Sequence, residues 1–179
     1  GQTYLYLQYH VLHNEKYHGT MFKDINDVYF SLNSRPLKEI SFGIYGSIGK
    51  YINRDEHPSK GKGHNLGAYF TLKPTSNLNL LFSYYRATLS DYKTDELFYD
   101  GNIYRATAIY QFSAEAFFRT ILQYNSFDKT FRFYPLFSYK LGAFTTFYAG
   151  ATSNYQNYES INAIRNTDQQ YFIKMQYLI

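Results

Sequence analysis

The 179-residue chain has no cysteine, no tryptophan, two methionines and four prolines. Without cysteine there is neither a disulfide framework nor a thiolate metal site. No run of about eighteen apolar residues occurs, which excludes a membrane-spanning helix. Charge of one sign is scarce as well. Eighteen Lys and Arg stand against fourteen Asp and Glu, and the basic residues are scattered along the chain. A nucleic-acid partner wants them gathered on one face, so none is expected. The first residue is Gly1, followed at once by strand-like sequence with no basic segment before an apolar core. The expectation is that residue 1 lies inside a longer or processed chain.

What is present in excess is aromatic. Tyr and Phe number 22 and 16, and aromatics make up 21% of the chain. The stretch 117–141 shows how they are used. Phe118, Thr120, Leu122 and Tyr124 share one parity, with Arg119, Ile121, Gln123 and Asn125 on the other. After a polar turn at 126–129, Phe131, Phe133, Pro135, Phe137 and Tyr139 alternate with Arg132, Tyr134, Leu136, Ser138 and Lys140. A period of two is a strand, and two strands about a short polar turn are a hairpin. The apolar parity is free of charge over roughly nine to eleven residues, the length a tilted strand needs to cross a bilayer. Low mean hydropathy does not oppose this, because every second residue of a barrel strand faces the lumen.

The same alternation recurs along the chain, from Leu5, Leu7 and Tyr9 at one end to Tyr171, Ile173, Met175, Tyr177 and Ile179 at the other. About ten strands result. The expected fold is an all-β, antiparallel, up-and-down transmembrane β-barrel, one domain over 1–179 or the C-terminal portion of a larger barrel. Polar segments at 13–20, 53–63, 90–101 and 156–168 read as long loops after odd-numbered strands. Short turns at 34–36, 73–77, 113–115 and 141–143 follow the even-numbered ones, and 126–129 is a short exception. That asymmetry matches long extracellular loops and short periplasmic turns, with the C-terminus at Ile179 periplasmic. A soluble antiparallel sheet with one half-buried face shows the same period and is the competing reading.

Arg105, Arg119 and Arg132 fall on the non-apolar parity of three consecutive strands, and Lys140 and Lys174 share it. They are expected to face the lumen, either as a basic ladder attracting anions or anionic sugars or as filling of the barrel interior paired with carboxylates from loops or a plug. Phe118, Phe131, Phe133, Phe137 and Tyr171 are expected to face lipid. Tyr51, Tyr84, Tyr92, Tyr104, Tyr124, Tyr139, Tyr155 and Tyr177 lie near strand ends, where a wet hydroxyl suits the headgroup level. Phe98, Tyr99, Tyr155 and Tyr158 would instead suit stacking on sugar rings. His10, His13, His18, His57 and His64 sit at the presumed extracellular rim near Asp55, Glu56 and Asp91, but their spacing matches no zinc signature. No Ser lies in a nucleophile context. No catalytic residue, metal or cofactor is assigned.

Gln123-Tyr124-Asn125-Ser126-Phe127, Pro135-Leu136-Phe137-Ser138-Tyr139, Phe147-Tyr148-Ala149-Gly150 and Asp168-Gln169-Gln170-Tyr171-Phe172-Ile173-Lys174 carry a resemblance. They look like the C-terminal strands of a Bacteroidota outer-membrane family, in which a module similar to family-nine carbohydrate-binding modules precedes a barrel domain of unknown function. The match covers about the last third of the chain. The resemblance implies that the binding module precedes residue 1 and that no catalytic residue carries over. Pro135 fits that pattern yet cannot donate to the ladder, so a bulge or a missing bond is expected there.

Three functional readings follow. The first is a non-enzymatic, porin-like outer-membrane barrel acting as channel, scaffold or subunit of a surface uptake or export complex. Its partners would be lipopolysaccharide and other outer-membrane lipid, other outer-membrane proteins, and a glycan. The second is a barrel protease or lipase using the rim histidines. The third is a soluble lectin-like sheet.

Overall fold

The structure, a computed structural model, describes residues 1–158 and 163–177. Ten strands fill it: β1 (Gln2–Tyr17), β2 (Thr20–Leu37), β3 (Ile40–Asn53), β4 (Ser59–Leu72), β5 (Leu78–Asp91), β6 (Leu97–Gln111), β7 (Ala116–Asn125), β8 (Thr130–Gly142), β9 (Thr145–Tyr158) and β10 (Ala163–Tyr177). They form one antiparallel up-and-down sheet in chain order, and no helix occurs among the described residues. β1 and β10 each have one strand neighbour among those residues. The chain divides into two compact units, 1–69 with 84–102, and 70–83 with 103–179.

In the first unit the register stacks like with like. Leu5 lies opposite Leu32, and Leu32 opposite Ile44; Leu7, Phe30 and Gly46 form the next row, and Tyr9, Val28 and Ile48 the one after. Residues directly opposite point to the same side, so these rows make a continuous apolar face over three strands. Leu7 is 67% exposed and Ile48 58%. The other face is polar and tyrosine-rich. Tyr69 donates to Asn33 Oδ1 at 2.9 Å, Asn33 to Ser31 at 2.7 Å, and Tyr85 to Asn65 Oδ1 at 3.1 Å. Tyr45 lies over Gly67 so closely that a Cβ there would overlap its ring. That glycine is a socket for an aromatic ring on the neighbouring surface.

The second unit repeats the arrangement. Tyr110, Phe118, Phe137, Ala149 and Ile173 are successive partners across five strands, and Ala106, Leu122, Phe133, Ser153 and Gln169 form a parallel row. At one margin stand Tyr104, Tyr124, Phe131 and Tyr155, again successive partners. Their rings meet in pairs, Tyr104 with Tyr124 at 6.5 Å and Phe131 with Tyr155 at 6.0 Å. At the other margin Tyr139, Phe147 and Met175 are partners. Phe131 and Tyr139 are eight residues apart on β8, about 27 Å along a strand.

Little lies buried in either unit. The buried apolar residues among those described are Phe22, Ile52, Ala87, Leu89 and Ala116, and no side chain is below 2% exposure. A soluble domain of this length encloses a substantial apolar core.

Several segments expected as loops are strand. β1 and β2 run to a two-residue turn at His18-Gly19, both at positive φ (46° and 82°), where 13–20 had the look of a loop. That is the backbone of a tight type I′ hairpin turn, and Gly19 supplies it without a Cβ penalty. The segment 53–63 contracts to 54–58, and 90–101 to 92–96. Within 156–168, β9 reaches Tyr158 and β10 begins at Ala163, with 159–162 outside the described residues. Ile179, expected at the periplasmic end, is also outside them. Connections after odd-numbered strands are therefore short among the described residues, and the expected contrast in loop length gives way to strands prolonged past the apolar rows. In these prolongations apolar residues such as the buried Phe22 and Ile52 stand among charged, polar and glycine positions, so the alternation a sequence reading depends on is lost.

Two prolines also read differently. The turn expected at 34–36 falls at Lys38-Glu39, and Arg35-Pro36 is a bulge: Ser34 pairs with Phe42 and Leu37 with Ile40, leaving one extra residue on β2. A bulge frees the proline from a ladder bond it cannot make. At Pro135 no residue is inserted. Phe133 pairs with Ser153 and Leu136 with Gly150, and the β8–β9 pairing skips Tyr134 and Pro135 between them. The missing bond is the outcome there, without a bulge.

Candidate functional site

The five basic residues singled out above all belong to the second unit and share the face opposite the apolar rows. Arg105 and Arg132 both pair with Gln123, forming one row across β6, β7 and β8. Arg119 lies between Ile109 and Leu136, four residues from Gln123 or about 13 Å along the strand. Lys140 faces Thr146 and Lys174 faces Tyr148, toward the other margin. Arg105 and Arg132 thus share one level while Arg119, Lys140 and Lys174 stand at others, and the five do not gather in one ring. At about 13 Å, Arg119 is more than a Debye length from that row at physiological salt.

The row of Arg105 and Arg132 continues into residues the sequence reading missed. Arg132 pairs with Asn154, which pairs with Asp168. Asn154 donates to Asp168 Oδ2 at 3.3 Å and accepts from the Tyr134 hydroxyl at 3.0 Å. Arg132 reaches the Asp128 carboxylate at 3.4 Å. One row therefore holds two guanidinium groups, two amides and a carboxylate. Asp168 falls inside the expected 156–168 loop because a bulge at Thr167 breaks the alternation of β10 just before it. The signal available was the clean period from Gln169 onward.

The turn 126–129 anchors this end. Asp128 Oδ1 accepts from the Thr130 amide at 3.1 Å and hydroxyl at 2.6 Å, and Asn125 Oδ1 accepts from the Phe127 amide at 3.0 Å. Such side-chain bonds stand in for backbone turn bonds.

Phe118, Phe131, Phe133, Phe137 and Tyr171 lie on the apolar side, Phe118 opposite Phe137 and Tyr171 opposite Ala151. Tyr171 is 75% exposed, Phe133 half-buried.

The histidines do not converge. His10 Nδ1 lies 3.2 Å from Asp27 Oδ2, His64 Nδ1 is 3.0 Å from the Thr88 hydroxyl, and His18 stacks on Tyr17 with ring centroids 4.4 Å apart. The His57 amide donates to Asp55 Oδ1 at 2.9 Å. The side chain of His13 is outside what is described. Among the described residues no group of three or more His, Asp or Glu could hold a metal.

Ion pairs cluster on the strand prolongations of the first unit: Arg54 with Glu15 at 2.6 Å, Arg86 with Asp100 at 3.0 Å, and Lys62 with Asp95. At the end of β5 the Asp91 carboxylate accepts from the amides of Lys93 at 2.8 Å and Thr94 at 2.9 Å. Those bonds, Thr94 first and Lys93 second, hold its pKa below the ordinary aspartate value. No family model matches the chain, and neither does any curated protein or solved structure.

Proposed function

We propose that the chain is a non-enzymatic outer-membrane β-barrel, or the C-terminal portion of a larger one. Its role would be that of a channel, scaffold or subunit of a surface complex for uptake or export. One observation carries this reading: a continuous, exposed apolar face bounded by aromatic rows, on a sheet with almost no buried core. Rows about 27 Å apart along a strand tilted by about 40° are about 20 Å apart vertically, close to the apolar band of such barrels. Strands prolonged past that band, rather than long loops, would carry the extracellular end, and the C-terminus would be periplasmic. Arg105, Arg119, Arg132, Lys140 and Lys174 would then line the lumen, and Phe118, Phe131, Phe133, Phe137 and Tyr171 would meet lipid. The family resemblance of the last third points the same way and brings a glycan and other outer-membrane proteins in as candidate partners.

An apolar face of this extent has no stable place in water. The test is refolding from urea into detergent micelles, followed by gel electrophoresis with and without boiling. A folded barrel migrates differently before and after heating. A chain that remains monodisperse without detergent would refute the proposal.

A further inference from the structure

The strand prolongations of the first unit carry a cationic depression on the same side as the apolar rows. It is lined by Ile48, Lys50, Lys62, His64, Thr88 and Tyr92. Lys50 follows Gly49, the partner of Asp27, so it shares the side of Ile48. Its ammonium sits 5.3 Å from the centroid of the Tyr92 ring, and that of Lys60 sits 4.8 Å from the same centroid. The two ammoniums are therefore within about 10 Å of each other. The tyrosine is held in place by its amide, which donates to the Lys60 carbonyl at 3.0 Å, and by the Asp91 turn that follows.

Charge is unevenly settled here. Lys62 is neutralised by Asp95 and Arg86 by Asp100. Lys60 donates to the Lys23 carbonyl at 2.7 Å, and neither it nor Lys50 has a carboxylate partner among the described residues. Lys50 is two residues beyond Ile48, about 7 Å along the strand. A polar headgroup layer is about 5 to 7 Å deep on each side of the hydrocarbon.

We infer that Lys50 and Lys60, on the Tyr92 ring, bind a phosphate of an anionic lipid headgroup in the leaflet facing the strand prolongations. The inference rests on the lipid-embedded reading above. It names a glycolipid phosphate as the occupant because the cations lie on the lipid side of the strand at headgroup depth. An aliphatic wall through Ile48 continues downward for the acyl chains.

The experiment uses the full chain refolded into phosphatidylcholine vesicles, with bis-phosphorylated lipid A or its dephosphorylated form added. Retained lipid is measured by native mass spectrometry after extraction. Two cations near a charged surface contribute about 1 kcal/mol each, so Lys50→Gln with Lys60→Gln should weaken retention of the phosphorylated form about thirty-fold. Lys73→Gln, past the opposite end of β4, should leave it unchanged. Salt at about 1 M should weaken retention by the unaltered chain, a readout that needs no variant to fold. Equal retention of phosphorylated and dephosphorylated lipid A would overturn the inference while leaving the barrel intact. Failure of the unaltered chain to enter vesicles would instead remove the reading beneath it.

Discussion

Replacing Ile44 by arginine separates a lipid-facing surface from a water-facing one. Ile44 lies opposite Leu32, mid-way along the outward run from Ile40 to Ile48, and is 47% exposed. In water, an exposed substitution of this kind stays within about 0.5 kcal/mol. At a bilayer midplane, arginine on a barrel's lipid face costs about 2–4 kcal/mol. That is about 30- to 900-fold in the folding equilibrium. Ile48 is four residues closer to the margin, about 13 Å along the strand and about 10 Å vertically at a tilt of about 40°. Arginine there should cost only about 0–1 kcal/mol. The assay is urea unfolding in phosphatidylcholine vesicles, followed by far-ultraviolet circular dichroism and by the fraction that migrates as the unheated form. A change at Ile44 within about 0.5 kcal/mol of the unaltered chain, or equal costs at Ile44 and Ile48, would rule out a lipid-facing Ile44.

Other consequences are as direct. Gly67→Ala puts a methyl group into the Tyr45 ring and should destabilise the chain by about 1–3 kcal/mol, read from the same urea transition; Tyr45→Ala with Gly67→Ala should recover part of that loss, because it removes the clash. The lowered pKa of the Asp91 carboxylate makes its ionised form the stabilising one above the unfolded value near 3.8. The amide resonances of Lys93 and Thr94 should thus hold steady from neutral pH down to about 4 and move only as the pH falls through the lower folded value. A turn that loosens above pH 5 would contradict the assignment. Arg105→Glu with Arg132→Glu should turn an anion preference into a cation preference in planar bilayers. A chain that inserts without conducting would leave the scaffold role in place of the channel.

The parity of nearly every apolar strand position was readable from sequence, because a strand with one apolar face repeats every two residues. Leu5, Phe30, Ile44, Phe118 and Phe133 all stand on the rows that alternation alone suggests. What alternation could not supply was the height of the strands. From Lys50 to Asn53 and Ser59 to Gly63 apolar residues are few among polar and glycine positions, and from Leu97 to Tyr99 they are consecutive, so no period of two marks these segments as strand. The same blindness hid Asp168 behind the Thr167 bulge and moved the turn at Pro36 two residues on. Cation placement suffered for a related reason. Lys50 and Lys60 are ten residues apart in sequence, and only the register of β3 and β4 with the Tyr92 turn brings them to one ring.

The absence of tryptophan makes the facing of the apolar rows measurable, since a single introduced indole is the only one in the chain. Tyr29 and Phe30 are adjacent on β2 and point to opposite faces, Tyr29 opposite Gln8 and Ser47, Phe30 opposite Leu7 and Gly46. Phe30→Trp and Tyr29→Trp are each refolded into vesicles containing lipids brominated on the acyl chain. A lipid-facing Phe30 and an inward Tyr29 predict strong quenching for Phe30→Trp and little for Tyr29→Trp. Equal quenching of the two, or none in either, would contradict that facing.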